Sequence, residues 1–386
     1  MNAPETALPG KHTGAAGQLY MAFELSDKKW LLVVSDGARG PSRYTVDAGD
    51  ERAVLDAIGK AKARCALVGE VVVRSCYEAG RDGFWLHRWL LEQGIDNIVV
   101  DSASIEVNRR ARRAKTDRLD GGKLLTMLMR YLGGERRVWS VVRVPTPQEE
   151  DARRAHRELE QLRHERTAHS NRIGALLVLH NLRVRHVGGR DWGKWWTRHG
   201  PALPAALRAG IEREMTRLVL VKAQIKTLEA QQGTAVATGL QPQVAQLSRV
   251  RGIGLGGAWI LVKELFGWRR FHNRRQVAGC IGLAPTPYSS GESQSEQGIA
   301  KAGNKRARRI MVELGWSWLR YQPESDLSQW FNQRFAHGGK RMRRIGIVAL
   351  ARRLAIALWR YLEHGVIPAG ATLKPIPPVS LEPVTA

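Results

Sequence analysis

Asp117 and Asp120 have the setting that most calls for a chemical explanation. They lie within residues 108–123, NRRARRAKTDRLDGGK, beside five arginines and two lysines. A spacing of three puts both carboxylates on one face of a helix, one above the other. Like charges stacked this way repel, and no fold requires them. A hard divalent cation such as Mg²⁺ changes the sign, because it takes carboxylate oxygens and keeps open positions for phosphate. The competing explanation is a solvated charged helix, where such pairs are common. The flanking Arg109, Arg110, Arg112, Arg113 and Lys115 suit a polyanion.

The segments that must position these acids read as an α/β order. Residues 19–25, 30–34 and 42–46 are short apolar runs expected as strands, with a turn at 26–28. A helical pattern at 51–63 precedes a β-branched apolar run at 66–77, a strand of the buried kind. Gly80 and Gly83 open a helix at 84–93, and 95–100 is a fifth strand. Three strands, helix, strand, helix, strand, helix predicts a mixed sheet. On it, Glu24 falls near the middle of the first strand and Glu78 at the carboxyl end of the fourth. Ligand sites in open α/β sheets lie at strand carboxyl ends. Glu24, Glu78, Asp117 and Asp120 can therefore converge on one or two Mg²⁺ ions, an arrangement that serves phosphoryl transfer. Glu70, mid-strand, and Asp101, at a strand end, rank below Glu78 as a cap or a paired core acid.

Downstream the pattern turns helical. Thr146 with Glu149 reads as a capping box opening a helix that runs to about residue 182. A looser stretch holds Trp192, Trp195 and Trp196, expected as a packed tip rather than a base-stacking surface. A second long helix, 205–232, carries Ile211, Met215, Leu218, Val221, Ile225 and Leu228 at spacings of three or four, a coiled-coil seam. The two helices predict an antiparallel hairpin that separates domains and dimerises. Next, Gly252, Gly254 and Gly256 form a tight turn opening a helix, which offers backbone N–H groups to phosphate and resembles a helix-hairpin-helix element. Residues 282–304 read as a Ser/Gly loop with Ser289, Ser290, Ser293 and Ser295 as candidate nucleophiles. No His–Asp relay lies nearby, which disfavours serine-hydrolase chemistry. Lys301, Lys305, Arg306, Arg308 and Arg309 follow as a phosphate-binding face.

Composition narrows the partner. Lys and Arg number 61 against 36 Asp and Glu, a net +25 spread along 386 residues. Nucleic acid is the polyanion such a chain attracts. No apolar run approaches the roughly 18 residues of a membrane span. Three cysteines give neither a disulfide framework nor a zinc knuckle, and the first residues lack a signal peptide's apolar core, so a reducing cytoplasm is expected. The expected organisation is a leader at 1–18, an α/β domain at 19–145, a coiled-coil region at 146–235, a mostly helical domain at 236–365, and a disordered proline-rich tail at 366–386.

Glu24, Glu78 and the KTDRLDGGK box resemble the RuvC-like (RNase H-like) domain of transposases from the insertion-sequence 110 family and its 1111 subgroup. The blocks VRGIGLGGA and GLAPTPYSSGESQSEQGIAKAGNKRARR resemble their C-terminal transposase domain, and the likeness runs from about residue 19 to 362. It implies a bacterial, nucleoid-associated DNA recombinase with a metal-binding Asp-Glu-Asp-Asp set. That set corresponds here to Glu24, Glu78, Asp117 and Asp120, with Glu24 departing from the usual Asp by one methylene. It also implies a serine nucleophile before the Gly of a Ser-Gly pair, here Ser290, with Ser289 the near alternative. Donor and target DNA, an element-encoded bridge RNA and a dimer or tetramer are the implied partners. A water-using junction resolvase and a non-catalytic nucleic-acid scaffold are the competing classes; metal dependence and a covalent protein–DNA adduct separate the three.

Overall fold

Strict alternation builds the N-terminal sheet. The computed structural model describes residues 17–105, 117–290, 293–301 and 303–375. β1 (Gly17–Leu25) turns tightly into antiparallel β2 (Lys29–Ser35), which pairs with β3 (Ser42–Asp47). α1 (Glu51–Arg64) starts where Asp50 accepts a hydrogen bond from the Ala53 N–H. β4 (Val71–Glu78) then returns parallel to β1, with Phe23 opposite Tyr77. α2 (Trp85–Glu92) leads to β5 (Asp96–Val100), parallel to β4. The order is β3-β2-β1-β4-β5, a mixed sheet. α3 (Asp117–Leu132) follows.

Phe23, Leu32 and Tyr77 face α1 and α2, where Val54, Ile58, Leu86 and Leu90 close one core. Ala22, Val33, Cys76 and Val100 face the other way, against Leu124, Leu125 and Leu128 of α3. Odd and even residues of one strand thus feed two different cores, which is why these strands read as continuous apolar runs. The fourth strand begins five residues later than its apolar run. Ala66 (φ 51°) and Gly69 (φ 77°) take left-handed conformations that end α1 in a turn before pairing can start.

The chain divides into two compact units, Met1–Pro145 and Thr146–Ala386. The second opens on the complete capping box of Thr146 and Glu149 at α4 (Pro147–Asp151). α5 (Arg154–Val178), α6 (Trp192–His199) and α7 (Ala205–Ala237) follow. Leu159 and Leu162 meet Val221 and Ile225, while Ile173 and Leu177 meet Ile211 and Leu218, so α5 and α7 run antiparallel. Trp192 is buried at their tip, stacked with Trp195 and Trp196 at centroid distances of 5.4 and 5.5 Å.

α8 (Pro242–Ser248) and α9 (Leu255–Leu261) flank the glycine turn, and α9 runs on through a π turn at Val262–Phe266. α10 (Arg274–Cys280) precedes an antiparallel hairpin of β6 (Pro285–Ser290) and β7 (Ser293–Ile299). α11 (Lys305–Tyr321), α12 (Asp326–Phe335) and α13 (Lys340–His364) close the unit around Leu247, Leu261, Leu265, Met311, Trp318 and Leu358. Beyond α13 the chain comes back to the glycine turn: Leu373 bridges to Val250, and the Lys374 ammonium donates to the Ser248 and Ile253 carbonyls. Residues 366–375 of the expected disordered tail therefore have a defined place, and 376–386 lie outside the described residues.

Candidate active site

Glu78 is the last residue of β4, and its side chain is exposed. The turn after it is held in place: the Ala79 N–H donates to the Val100 carbonyl (2.8 Å), and the Tyr77 hydroxyl donates to the Gly83 carbonyl (3.1 Å). Glu24 is the penultimate residue of β1, at the strand end and not near its middle as expected. The register, Phe23 beside Tyr77, places Glu24 and Glu78 side by side at the carboxyl ends of adjacent parallel strands. Neighbouring strands run about 4.8 Å apart. By alternation both acids share the face of Ala22 and Cys76, which is the face α3 covers.

α3 packs against that face through Leu124, Leu125 and Leu128. Asp117 and Asp120 lie in its first turn. Gly121 follows directly, and a Cβ there would lie 2.9 Å from Val33 Cγ2 and 3.9 Å from Glu24 Cβ. Only glycine lets the helix backbone approach the sheet this closely. The beginning of α3 is thereby pressed against the strand that carries Glu24. The chemistry of the residue types fits a hard divalent cation: Glu24 and Glu78 at the open end of a parallel strand pair, and two aspartates in the first turn of the helix that packs on the same sheet face. Among the described residues no group of three or more His, Cys, Asp or Glu forms a metal cluster. Glu70 lies just before β4 rather than within it, and Asp101 just after β5. Arg109, Arg110, Arg112, Arg113 and Lys115 lie outside the described residues.

Ser290 ends β6 and pairs with Ser293 across the hairpin, with Ser289 opposite Gln294. The expected loop is a β-hairpin. Its Ser, Gly and Pro content reads as a turn, but two strands with no further neighbours accommodate Pro285 and Pro287 without breaking a ladder. The base of the hairpin is firmly tied. The Ala300 N–H donates to the Ala284 carbonyl (2.9 Å) and the Lys301 N–H to the Gly282 carbonyl (3.1 Å). The Arg308 guanidinium donates to the Lys301 carbonyl (2.8 Å). Asn304 caps α11 through the Arg306 and Ala307 N–H groups, and its own N–H donates to the Cys280 carbonyl.

Asn304 also reaches a residue the sequence reading passed over. Glu264, 1 % exposed, accepts from Asn304 Nδ2 (2.9 Å), Arg157 Nε and Nη2 (2.7 and 3.0 Å) and shares a 2.8 Å contact with His156 Nε2. Burial alone would push this carboxyl up, but the hydrogen bonds from His156, Arg157 and Asn304 outweigh it and hold the group well below the usual range. A single acid inside the apolar run ILVKELFGW was its only signal. The expected phosphate face is partly occupied within the protein: Glu160 binds Arg306 and Arg309, both at 2.6 Å, while Lys301 and Lys305 are exposed. Gly252 (φ 89°) is enclosed, its carbonyl accepting from the Ser317 hydroxyl (2.6 Å), whereas Gly254 is open at the start of α9.

Acids at parallel strand ends in a chain of net charge +25 are an arrangement compatible with acting on a polyanion such as nucleic acid. A family model for transposases of the IS116/IS110/IS902 family matches residues 244–329. The chain is 41 % identical over 379 residues to y4rJ of Sinorhizobium fredii (strain NBRC 101917 / NGR234), named as a transposase, covering 93 % of this chain and 95 % of that one. It is 22 % identical over 309 residues to the transposase of insertion sequence element IS1111A of Coxiella burnetii (strain RSA 493 / Nine Mile phase I), 77 % of this chain and 78 % of that one. The chain belongs to the IS110/IS116/IS902 family of insertion-sequence transposases, enzymes of DNA transposition. Among the described residues no helix is long and apolar enough to cross a membrane.

Proposed function

We propose that the protein is a site-specific recombinase that cuts and rejoins DNA with an RNase H-like (RuvC-like) carboxylate set and a serine nucleophile, guided by an RNA of its own element. The observation that carries the reading is the register of β1 and β4, with Glu24 and Glu78 side by side on the face against which Gly121 seats α3. Glu24, Glu78, Asp117 and Asp120 would hold Mg²⁺, which when bound supplies charge neutralisation at a phosphate. Ser290 forms the new P–O bond as the bond to the departing deoxyribose oxygen breaks; the serine hydroxyl gives up its proton and the departing oxygen gains one. The phosphoserine link keeps the ester, so rejoining needs no nucleotide cofactor. Arg109, Arg110, Arg112, Arg113, Lys115, Gly254, Lys301 and Lys305 contribute phosphate contacts, whereas Gly252, Arg306, Arg308 and Arg309 are already engaged within the protein.

Support for the RNA comes from charge and from what reads sequence. A net +25 gives tight, salt-sensitive, non-specific binding, and base pairing by a guide supplies specificity without a groove-reading element. Exchange of strands in pairs needs at least a dimer; the exposed Val219 and Leu220 on α7 support a hairpin interface. The test is denaturing electrophoresis of labelled DNA after incubation with Mg²⁺ and element RNA. Wild type and Ser289→Ala are expected to form a protein–DNA adduct, and Ser290→Ala none. An adduct that persists in Ser290→Ala and disappears in Ser289→Ala moves the nucleophile back one residue. Cleavage without any adduct replaces serine by water. Site-specific recombination by nuclease-treated protein removes the guide RNA.

A further inference from the structure

The helical hairpin carries, near its tip, a cleft of about 680 Å³ between α5, the connector that follows it and one side of α7. Arg166 of α5, Arg183 and Arg185 of the connector and Lys222 of α7 line it, and the lining holds no Asp or Glu. The three arginines are exposed. Elsewhere on α5 the cations are matched to acids. Of its five arginines, Arg154, Arg157, Arg163 and Arg172 pair with Asp151, Glu264, Glu229 and Glu214. Arg166 is the exception, with no ion pair among the described residues, and Arg183 and Arg185 have none there either.

The walls are fixed by the protein itself. The Lys222 ammonium donates to the Gly188 carbonyl (2.5 Å), which ties the connector to α7, and the Leu182 N–H donates to the Leu177 carbonyl (3.1 Å). Asn181 takes a left-handed conformation (φ 55°) and accepts from Arg183 Nη1 (2.7 Å), a bond to a neutral amide that leaves the charge unmatched. Cations gathered around one concavity repel each other, and its low-dielectric walls focus their field. The connector at 179–204 continues the excess, with Arg183, Arg185, Arg190, Lys194 and Arg198 against Asp191 alone. A polyanion reverses the sign of these terms. The cations come from three chain segments, so a single small anion would leave most of the cleft empty, whereas a strand backbone repeats its charge at every nucleotide and can meet all three walls. Transposition supplies DNA as that polyanion.

We propose that this cleft seats the sugar–phosphate backbone of the DNA on which the transposase acts. Such a contact fixes position without reading bases. It needs only the DNA binding that transposition entails, not the nucleophile, the carboxylate set or a guide RNA, so it is tested without cleavage. Gly174 supplies the handle, since it lines the cleft and a Cβ there meets nothing within 4 Å. Gly174→Glu places an anion in the cleft and Gly174→Gln a neutral group of the same size, and both are better helix formers than glycine. Gly59→Glu is the control, another open helical glycine, exposed on α1 in the first unit. Arg166→Gln combined with Arg185→Gln removes two charges and leaves Gly174 in place. Binding of the whole chain to a labelled DNA duplex, and to an RNA duplex of equal length, is measured across a range of salt without Mg²⁺, with thermal melting and sedimentation on each variant.

Gly174→Glu should weaken DNA binding several-fold at low salt, more than Gly174→Gln does, while Gly59→Glu stays near wild type. The double arginine variant should lower the salt slope, which counts phosphates, by about one to two units. A purely structural role for the arginines would leave that slope where it is. A folded Gly174→Glu protein that binds DNA as well as Gly59→Glu does overturns the proposal, and so does an unchanged slope in the double variant. Weakening confined to the RNA duplex overturns it by assigning the cleft to RNA. A changed sedimentation coefficient in Gly174→Glu with DNA affinity intact overturns it by marking a contact between copies of the chain.

Discussion

Glu78 and Glu264 are both carboxylates in a chain with 25 more cations than anions, and their surroundings are opposite. Glu78 is exposed at the end of a parallel strand and makes no ion pair among the described residues. Glu264 is buried in the π turn that continues α9, with His156, Arg157 and Asn304 around it. Where cations are this abundant, an acid that the fold has already neutralised is part of the architecture. An acid that the fold leaves at a strand end is open to a cation from solution. Glu214 belongs with Glu264: His169 and Arg172 hold it, and the hydrogen bond from His169 leads the effects that bring its carboxyl down to about 2.

The largest expected effect falls on the solvent-facing acid. Glu78→Gln should reduce Mg²⁺-dependent strand cleavage to background while DNA binding is retained or slightly tightened, because a ligand is lost but no phosphate contact is. Cleavage gels and binding isotherms on the same preparation decide it. A Glu78→Gln protein that cleaves at the wild-type rate would break the comparison at its first term.

The second effect is on stability and belongs to the buried acid. Glu264→Leu leaves His156, Arg157 and Asn304 without their shared acceptor. Removing one partner of a buried ion pair costs about 3–5 kcal/mol. Arg157 is 42 % exposed and can turn to water, so about 2–3 kcal/mol is expected here, read from denaturant unfolding. Unchanged stability would place Glu264 with Glu78 rather than opposite it.

Acid should sharpen the same division. A carboxyl whose folded value lies below its ordinary 4.5 contributes stability that is fully present above 4.5 and is lost as pH falls through the folded value, about 2 for Glu214. The helical unit should therefore lose stability progressively between pH 4.5 and 2. Glu214→Gln should flatten that loss. A melting temperature with the same pH dependence in both proteins would show that the His169–Arg172 cradle is not the cause.

How much of this was legible follows from where the information sits. The sheet was readable because each strand is an apolar run bounded by Gly, Asp or Ser turns, and a parallel order follows from the helices between strands. Glu78 could be placed at a strand end for the same reason. The start of β4 was misplaced because the left-handed turn at Ala66 carries an alanine, not a residue that announces such a turn. The serine hairpin was hidden because PTPYSS and SQSEQGI have no apolar alternation and one β-branched residue each, Thr286 and Ile299. It pairs through backbone, and its base is tied by Asn304 and Arg308 from the following helix. Glu264 could not be foreseen, since its partners His156 and Asn304 lie 108 and 40 residues away along the chain.

The smallest expected effect tests how tightly the helix that carries Asp120 is seated. Gly121→Ala adds a Cβ 2.9 Å from Val33 Cγ2, closer than two carbons tolerate, so α3 or Val33 must shift by a few tenths of an ångström. Overpacking of this kind costs about 1–3 kcal/mol, and replacing a helical glycine by alanine returns about 1, so the net loss of stability should be about 1 kcal/mol. Cleavage should fall further than stability does, by several-fold, because the displaced segment begins one residue after Asp120 and reacting groups are sensitive to small misplacement. Val33→Ala removes the opposing methyls. If the close approach is the cause, the double variant Gly121→Ala, Val33→Ala should recover cleavage relative to Gly121→Ala, and the two substitutions should couple in a double-mutant cycle. Additive effects, or a Gly121→Ala protein as active as wild type, would mean that the seating of α3 against β1 and β2 does not set the position of Asp120.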